Sequence, residues 1–283
     1  MSRLLRVSRP RFWMYVFGPY IVGALCSAAA PKQFFAPLAL LFALFFVFPA
    51  NLLIYGVNDI FDYETDVLNA KKRGYEALIP PDQRGQIGRA TARFCAPFLV
   101  FLPFLPRGSF VALLGFLFFS LFYSAPPIRA KARPIMDSIF NVLYIFPGVF
   151  AYFLCGGRHF SWILFFGAHA WAMAMHAYSA VPDISADNEA KVPTVATFLG
   201  LRATLWFCAA LYGLAALCSF AALSWLSVVL LLVYLSLMFL SLRAGTEAGV
   251  LGIYRVFPLV NTLAGAAIFW FVLWGKTAFW PKF

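Results

Sequence analysis

Apolar stretches of roughly 17–22 residues recur along the whole chain, each long enough to cross a hydrocarbon core of about 30 Å as a helix. They centre near Val22, Ala43, Phe98, Gly115, Phe146, Ala168, Leu211, Leu232 and Ala267, which predicts about nine spans. The apolar runs are continuous and lack the alternation of barrel strands. Backbone groups in lipid need internal partners, so the segments read as helices. The expected fold class is therefore all-α and polytopic. No Gly/Ser-rich linker or low-complexity tract divides the sequence, so a single membrane domain over residues 1–283 is expected.

The polar positions between the spans carry a charge pattern of their own. With the N-terminus inside, Arg3, Arg6, Arg9 and Arg11 fall on the cytoplasmic side. So do the clusters Lys71 to Arg93 and Arg129 to Arg133, followed by Lys191, Arg202, Arg243 and Arg255. Only Lys32, Arg107, Arg158, Lys276 and Lys282 fall outside. This is the excess of inside Lys and Arg that sets orientation in a cell inner (plasma) membrane, and an odd number of spans puts the C-terminus outside. The first span resembles a signal peptide in its basic flank and its CSAAA segment. The spans that follow favour a retained signal anchor.

Composition agrees with a lipid environment: 63% of residues are hydrophobic and 12% charged, with a mean hydropathy of +0.83. The net charge of +11 does not point to nucleic acid, because the basic residues sit in short loops beside spans rather than on one soluble face. Anionic membrane lipids are the expected partner. The five cysteines lie within spans, lack metal-ligand spacing and read as small apolar residues.

All 11 acidic residues fall on the expected cytoplasmic side, and most of them crowd into two short segments. NDIFDYETD, ending the second span, carries Asp59, Asp62, Glu64 and Asp66; PDISADNEAK, ending the sixth, carries Asp183, Asp187 and Glu189. A helix stacks Asn58, Asp62 and Asp66 on one face at i, i+4, i+8, with Asp59 beside them, and repeats the relation at Asp183 and Asp187. Like charges so spaced beside a bilayer repel, which calls for a cation. Magnesium suits such hard oxygen ligands, taking one or two carboxylates and completing its shell with water and substrate phosphates. Two clusters of this kind can clamp one diphosphate. Departure of an allylic diphosphate leaves a carbocation, and magnesium eases that step by neutralising the leaving group. The plain alternative is that these acids are solvated helix ends paired with nearby Lys and Arg.

These residues resemble the UbiA superfamily of intramembrane prenyltransferases, whose hallmarks are NDxxDxxxD after the second helix and DxxxD after the sixth. The segment YSAPPIRAKARPIMDS at 123–138 looks like the family's loop after the fourth helix. NLLIYGVNDIFDYETDVLNAKKRGYE and MAMHAYSAVPDISAD resemble its carotenoid branch, the lycopene elongases. The resemblance implies nine helices around a central cavity open to lipid with a cytoplasmic cap. It also implies transfer of a dimethylallyl unit from its diphosphate to the end of lycopene, in some members followed by addition of water. One departure stands out. Where the family has a basic residue after the second Asp, a Gly four places beyond that Asp, and often Lys or Arg before Thr, this chain has Asn188, Lys191 and Pro193.

On this reading Asn58, Asp59, Asp62, Asp66, Asp183 and Asp187 contact magnesium, with Asp62, Asp66, Asp183 and Asp187 carrying the reaction. Lys71, Lys72, Lys131, Lys191, Tyr123 and Asn58 face the diphosphate. Lys191 falls four residues after Asp187, so a continuing helix stacks it on the same face. Glu64 and Glu189 point elsewhere and are solvated. His176 lies seven residues before Asp183 and is a candidate to take a proton from the product cation; its plain reading is a hydrogen-bonded structural histidine. His169 repeats that face one heptad earlier. Tyr123 and Tyr178 can stabilise a cation through their rings. The alternatives are a quinone, aromatic or lipid acceptor, a membrane transporter, and a non-catalytic scaffold.

Overall fold

The computed structural model describes residues 3–63, 67 and 78–276. Among them every regular element is helical. Seven continuous or nearly continuous helical segments are long and apolar enough to cross a membrane: Pro37–Phe61, Pro81–Phe104, Arg107–Ser124, Met136–Leu154, Leu201–Leu223, Trp225–Ala244 and Glu247–Trp274. The two other expected spans are helices as well. Met14–Ser27 has only 14 residues, and Trp162–Ala180 is diluted by His169 and His176. Many large apolar side chains point outward, Leu217 at 75% and Trp274 at 76% exposure among them, as a surface solvated by lipid requires.

The chain groups into two compact units. The first holds the described residues up to Ile128, Phe146–Phe160 and those from Gly265 onward; the second holds Arg129–Ile145 and Ser161–Ala264.

In the first unit, Tyr20, Phe42, Phe46, Phe116 and Phe150 are buried and meet ring to ring, Phe42 and Phe150 with centroids 4.7 Å apart. The Pro37–Phe61 segment is two helices, Pro37–Val47 and Pro49–Phe61. Proline has no N–H and breaks the ladder at Phe48. Asn51, fully buried, repairs it by donating its amide to the carbonyls of Phe46 at 3.1 Å and Val47 at 2.8 Å, which in lipid would otherwise lack donors.

Helix Met14–Ser27 packs backbone to backbone on helix Phe146–Leu154, where a Cβ on Gly23 would overlap the Gly148 carbonyl. Small residues permit such contacts between membrane helices. Gly23→Ala is therefore expected to destabilise this unit by about 1–3 kcal/mol through overpacking, read as a lower midpoint of thermal unfolding in detergent.

In the second unit, helix Trp162–Ala180 packs along Leu201–Leu223, with Gly167 against Cys218. Tyr212 stacks on Tyr234 at 4.4 Å, and the Tyr234 hydroxyl donates to Asn261 Oδ1 at 2.9 Å. Tyr178, a candidate for cation stabilisation, is fully buried in this core. Its hydroxyl lies 2.9 Å from Ser241 Oγ, and its ring packs edge-on against Phe257. The five cysteines are free thiols.

Candidate active site

The first acidic motif lies at the end of helix Pro49–Phe61. The helix stops at Phe61, and Asp62 caps it with φ −116° and ψ 8°, so Asp62 does not continue the helix of Asn58 as expected. The i, i+4 contact nevertheless survives: Asn58 Nδ2 donates to Asp62 Oδ2 at 2.5 Å and to Ser124 Oγ at 3.1 Å. Asp59 and Asp62 are buried, 1% and 3% exposed. Two charges beside a bilayer are held there by specific partners. Arg9, which the sequence marks only as an inside residue, supplies one of them, its Nη2 donating to Asp59 Oδ1 at 2.8 Å. Asp66, Glu64, Lys71 and Lys72 lie outside the described residues.

Tyr123 and Ser124 end helix Arg107–Ser124 in the same unit, Tyr123 half-buried and Ser124 buried. Ser124 belongs to the quoted YSAPP segment, which was its only signal in the sequence.

The second motif is built differently. Val181–Asp183 is a 3-10 turn, and Asp183 leads into the short helix Ile184–Glu189. Asp183 and Asp187 are half-buried, and Glu189 is exposed as expected. Ser185 donates through its N–H and hydroxyl to Glu247, at 3.0 and 2.7 Å. Thr194 Oγ1 approaches Asp187 Oδ2 at 3.5 Å and also caps helix Val195–Leu199.

Lys191 is not on a continuing helix. The helix ends at Glu189; the Val192 N–H reaches back to the Asp187 carbonyl at 2.8 Å and the Lys191 N–H to Asn188 at 3.1 Å. This is a Schellman termination with Lys191 at the left-handed position, φ 54°, where glycine is the usual occupant. The departure from the family pattern at 191 thus acquires a physical meaning: a lysine stands where the backbone favours glycine. Its side chain is exposed. It shares a groove of about 380 Å³ with Pro134, Asp187, Pro193 and Thr197.

Asp137, from the quoted PIMDS segment, was overlooked in the sequence because it is a lone acid. It is fully buried and accepts from the Val195 N–H at 2.7 Å and the Ser138 N–H at 2.8 Å. His176 Nε2 lies 3.3 Å from its Oδ2. His169 Nε2 lies 2.8 Å from the Ile139 carbonyl, so both histidines tether the same turn. Lys131 is half-buried in the 3-10 turn Ala130–Ala132.

Among the described residues no three His, Cys, Asp or Glu side chains gather into a metal cluster. Magnesium does not require one: one or two carboxylates per ion suffice when phosphates complete the shell, and the hard oxygens of these motifs fit that demand.

Comparison with known proteins points to a single family. The model of the UbiA prenyltransferase family matches residues 16–250. The chain is 42% identical over 275 residues to a lycopene elongase/hydratase of Haloarcula japonica, covering 97% of this chain and 92% of that one. It is 40% identical to a lycopene elongase/hydratase of Haloferax volcanii, covering 95% and 87%. The fold matches a UbiA homologue from Archaeoglobus fulgidus with a TM-score of 0.71 at 21% identity, over 98% and 100% of the two chains. It also matches a structure of a UbiA homologue from that organism bound to DMAPP and Mg2+, with a TM-score of 0.65 at 20% identity over 95% and 99%. With its family model, its relatives and its helical fold in agreement, the chain belongs to the UbiA prenyltransferase family and is a membrane-embedded prenyltransferase.

Proposed function

We propose that this enzyme moves an allylic isoprenyl group, the dimethylallyl unit, from its diphosphate to a carotenoid acceptor such as lycopene, in a magnesium-dependent reaction at the cytoplasmic side of the membrane. The observation that carries this reading is the 42% identity to a lycopene elongase/hydratase across nearly the whole of both chains. A quinone, aromatic or other lipid acceptor is the competing outcome of the tests.

Asp62 and Asp66 of the first motif and Asp183 and Asp187 of the second would hold magnesium, which when bound supplies positive charge against the departing diphosphate. Asn58 orients Asp62. Lys131, Lys71 and Lys72 would serve the phosphate oxygens as mobile point charges, with Tyr123 a further proposed diphosphate contact.

In the transfer, the allylic C–O bond breaks and its electron pair leaves with the diphosphate. The allylic carbon then bonds to the terminal double bond of the acceptor, which leaves a tertiary cation. That cation either loses a proton to form an alkene or takes a water oxygen and releases a proton. We assign acceptance of this proton to His176: with its Nε2, 3.3 Å from Asp137 Oδ2, carrying the hydrogen, Nδ1 would be the basic nitrogen. The apolar walls of the spans keep bulk water from the cation.

Lys191 supplies a diphosphate contact in place of the basic residues absent at 188 and 193. Lys191→Gly then separates backbone from side chain. Relief of the left-handed strain stabilises the protein by about 1 kcal/mol, while loss of a charge-assisted hydrogen bond raises KM for the allylic diphosphate by about tenfold. Thermal unfolding and steady-state kinetics on one preparation read both effects, and an unchanged KM removes Lys191 from the site.

Expression in lycopene-accumulating cells tests the acceptor. Pigments heavier by one or two C5 units, with or without water, support the proposal. Unaltered lycopene beside a prenylated quinone or aromatic compound rejects it.

A further inference from the structure

The N-terminal segment delivers a guanidinium to the first acidic motif. A residue preceding proline is disfavoured in the helical region, and Arg9 precedes Pro10. It takes φ 48° and ψ 71°, a left-handed conformation strained for any residue bearing a Cβ. The turn is closed by the Arg9 N–H on the Arg6 carbonyl at 3.2 Å and by the Phe12 N–H on the Arg9 carbonyl at 2.9 Å.

The side chain, 14% exposed, reaches one face of helix Pro49–Phe61. Its Nη2 donates to Asn58 Oδ1 at 3.1 Å and to Asp59 Oδ1 at 2.8 Å. The guanidinium lies 4.7 Å from the centre of the Tyr55 ring. Positions 55, 58 and 59 share a helix face, so three side chains converge on one cation.

Two consequences follow for the motif. The first concerns the Asn58 amide. Arginine has only donors, so it holds the amide oxygen toward itself and turns the NH2 toward Asp62 Oδ2 and Ser124 Oγ. The reversed amide would set NH2 against guanidinium and oxygen against carboxylate. The second concerns Asp59, whose charge is balanced within the protein and does not call for a metal.

We propose that Arg9 is a positioning residue of the first acidic motif: it withdraws Asp59 from the metal ligands and, through Asn58, sets the carboxylate of Asp62 toward the cation. The proposal rests on the reading of this motif as a metal and diphosphate site. Strain at Arg9 fits such a role, because a left-handed non-glycine residue persists where its surroundings hold it.

The test measures metal binding directly. Full-length protein in detergent is titrated with Mn2+ in the presence of inorganic diphosphate, and free Mn2+ is followed by electron paramagnetic resonance. Arg9→Gln is expected to weaken Mn2+ binding by about ten- to a hundredfold, the usual effect of losing a group that orients a ligand. Asp59→Asn shifts binding less than Arg9→Gln does.

The double variant Arg9→Gln/Asp59→Asn removes both charges. It regains the thermal stability lost in Arg9→Gln while keeping the weakened metal binding. Wild-type affinity in Arg9→Gln overturns the proposal, and so does a larger loss in Asp59→Asn, which makes Asp59 a ligand. Recovery of metal affinity in the double variant also overturns it, because Arg9 then only neutralises Asp59. Wild-type protein that binds no Mn2+ with diphosphate rejects the underlying reading of the motif itself.

Discussion

Replacing Asp62 or Asp183 by Asn is expected to lower kcat/KM for the allylic diphosphate by at least about a hundredfold, with membrane insertion and yield unchanged. The magnitude follows from the chemistry of the leaving group. Loss of an outer-shell partner already costs metal sites about 10–100-fold, and these carboxylates are proposed as direct ligands. Asn retains the shape of Asp but lacks the charge that offsets a divalent cation in a low-dielectric setting. At position 62 the substitution also disturbs the bond from Asn58 Nδ2, whereas at 183 it leaves the two hydrogen bonds from Ser185 to Glu247 in the second motif intact. Near wild-type turnover in either variant excludes an essential role for that carboxylate. Raising magnesium tenfold should recover part of the lost rate.

The second large effect concerns stability. Asp137→Ala is expected to destabilise the protein by roughly 3–5 kcal/mol, because it strands buried donors rather than simply deleting a contact. The Val195 and Ser138 N–H groups lose their acceptor, and His176 loses its orienting carboxylate. Asp137→Asn retains one amide oxygen and should cost less. Chemical or thermal unfolding in detergent gives the difference. In whichever variant remains folded, the ratio of deprotonated to hydrated product should change, since His176 no longer has a fixed basic nitrogen. A stable Asp137→Ala protein with the wild-type product ratio contradicts both parts.

The helices and the acid clusters were legible because each is a local property of the sequence. Continuous apolar runs have one solution in lipid, and Asn58 lies four residues from Asp62, so helix spacing brought the two near each other even though the helix itself stops at Phe61. The partners that make the site were not legible. Arg9 is 50 residues from Asp59 and looks identical to its neighbours as a topology residue; nothing local distinguishes the arginine that folds inward. Asp137 meets Val195 across 58 residues, so an isolated acid gave no pattern. Lys191 shows a subtler limit. Pro193 disfavours helical backbone at the residue before it, but only the observed pair of backward hydrogen bonds fixes residue 191, rather than 189 or 190, as the left-handed position. The family's glycine at that place is a local backbone requirement, and this chain meets it with a strained lysine.

The most direct test of the central claim is a reconstituted transfer assay. Purified enzyme in lipid nanodiscs receives lycopene, Mg2+ and dimethylallyl diphosphate carrying an isotopic label in the dimethylallyl group, and the label is followed by mass-resolved chromatography. The account predicts label in carotenoids heavier by one or two C5 units, with stoichiometric release of diphosphate, and no transfer in excess chelator. Label that remains in the diphosphate, or that appears in carotenoid at full rate without divalent metal, would contradict it.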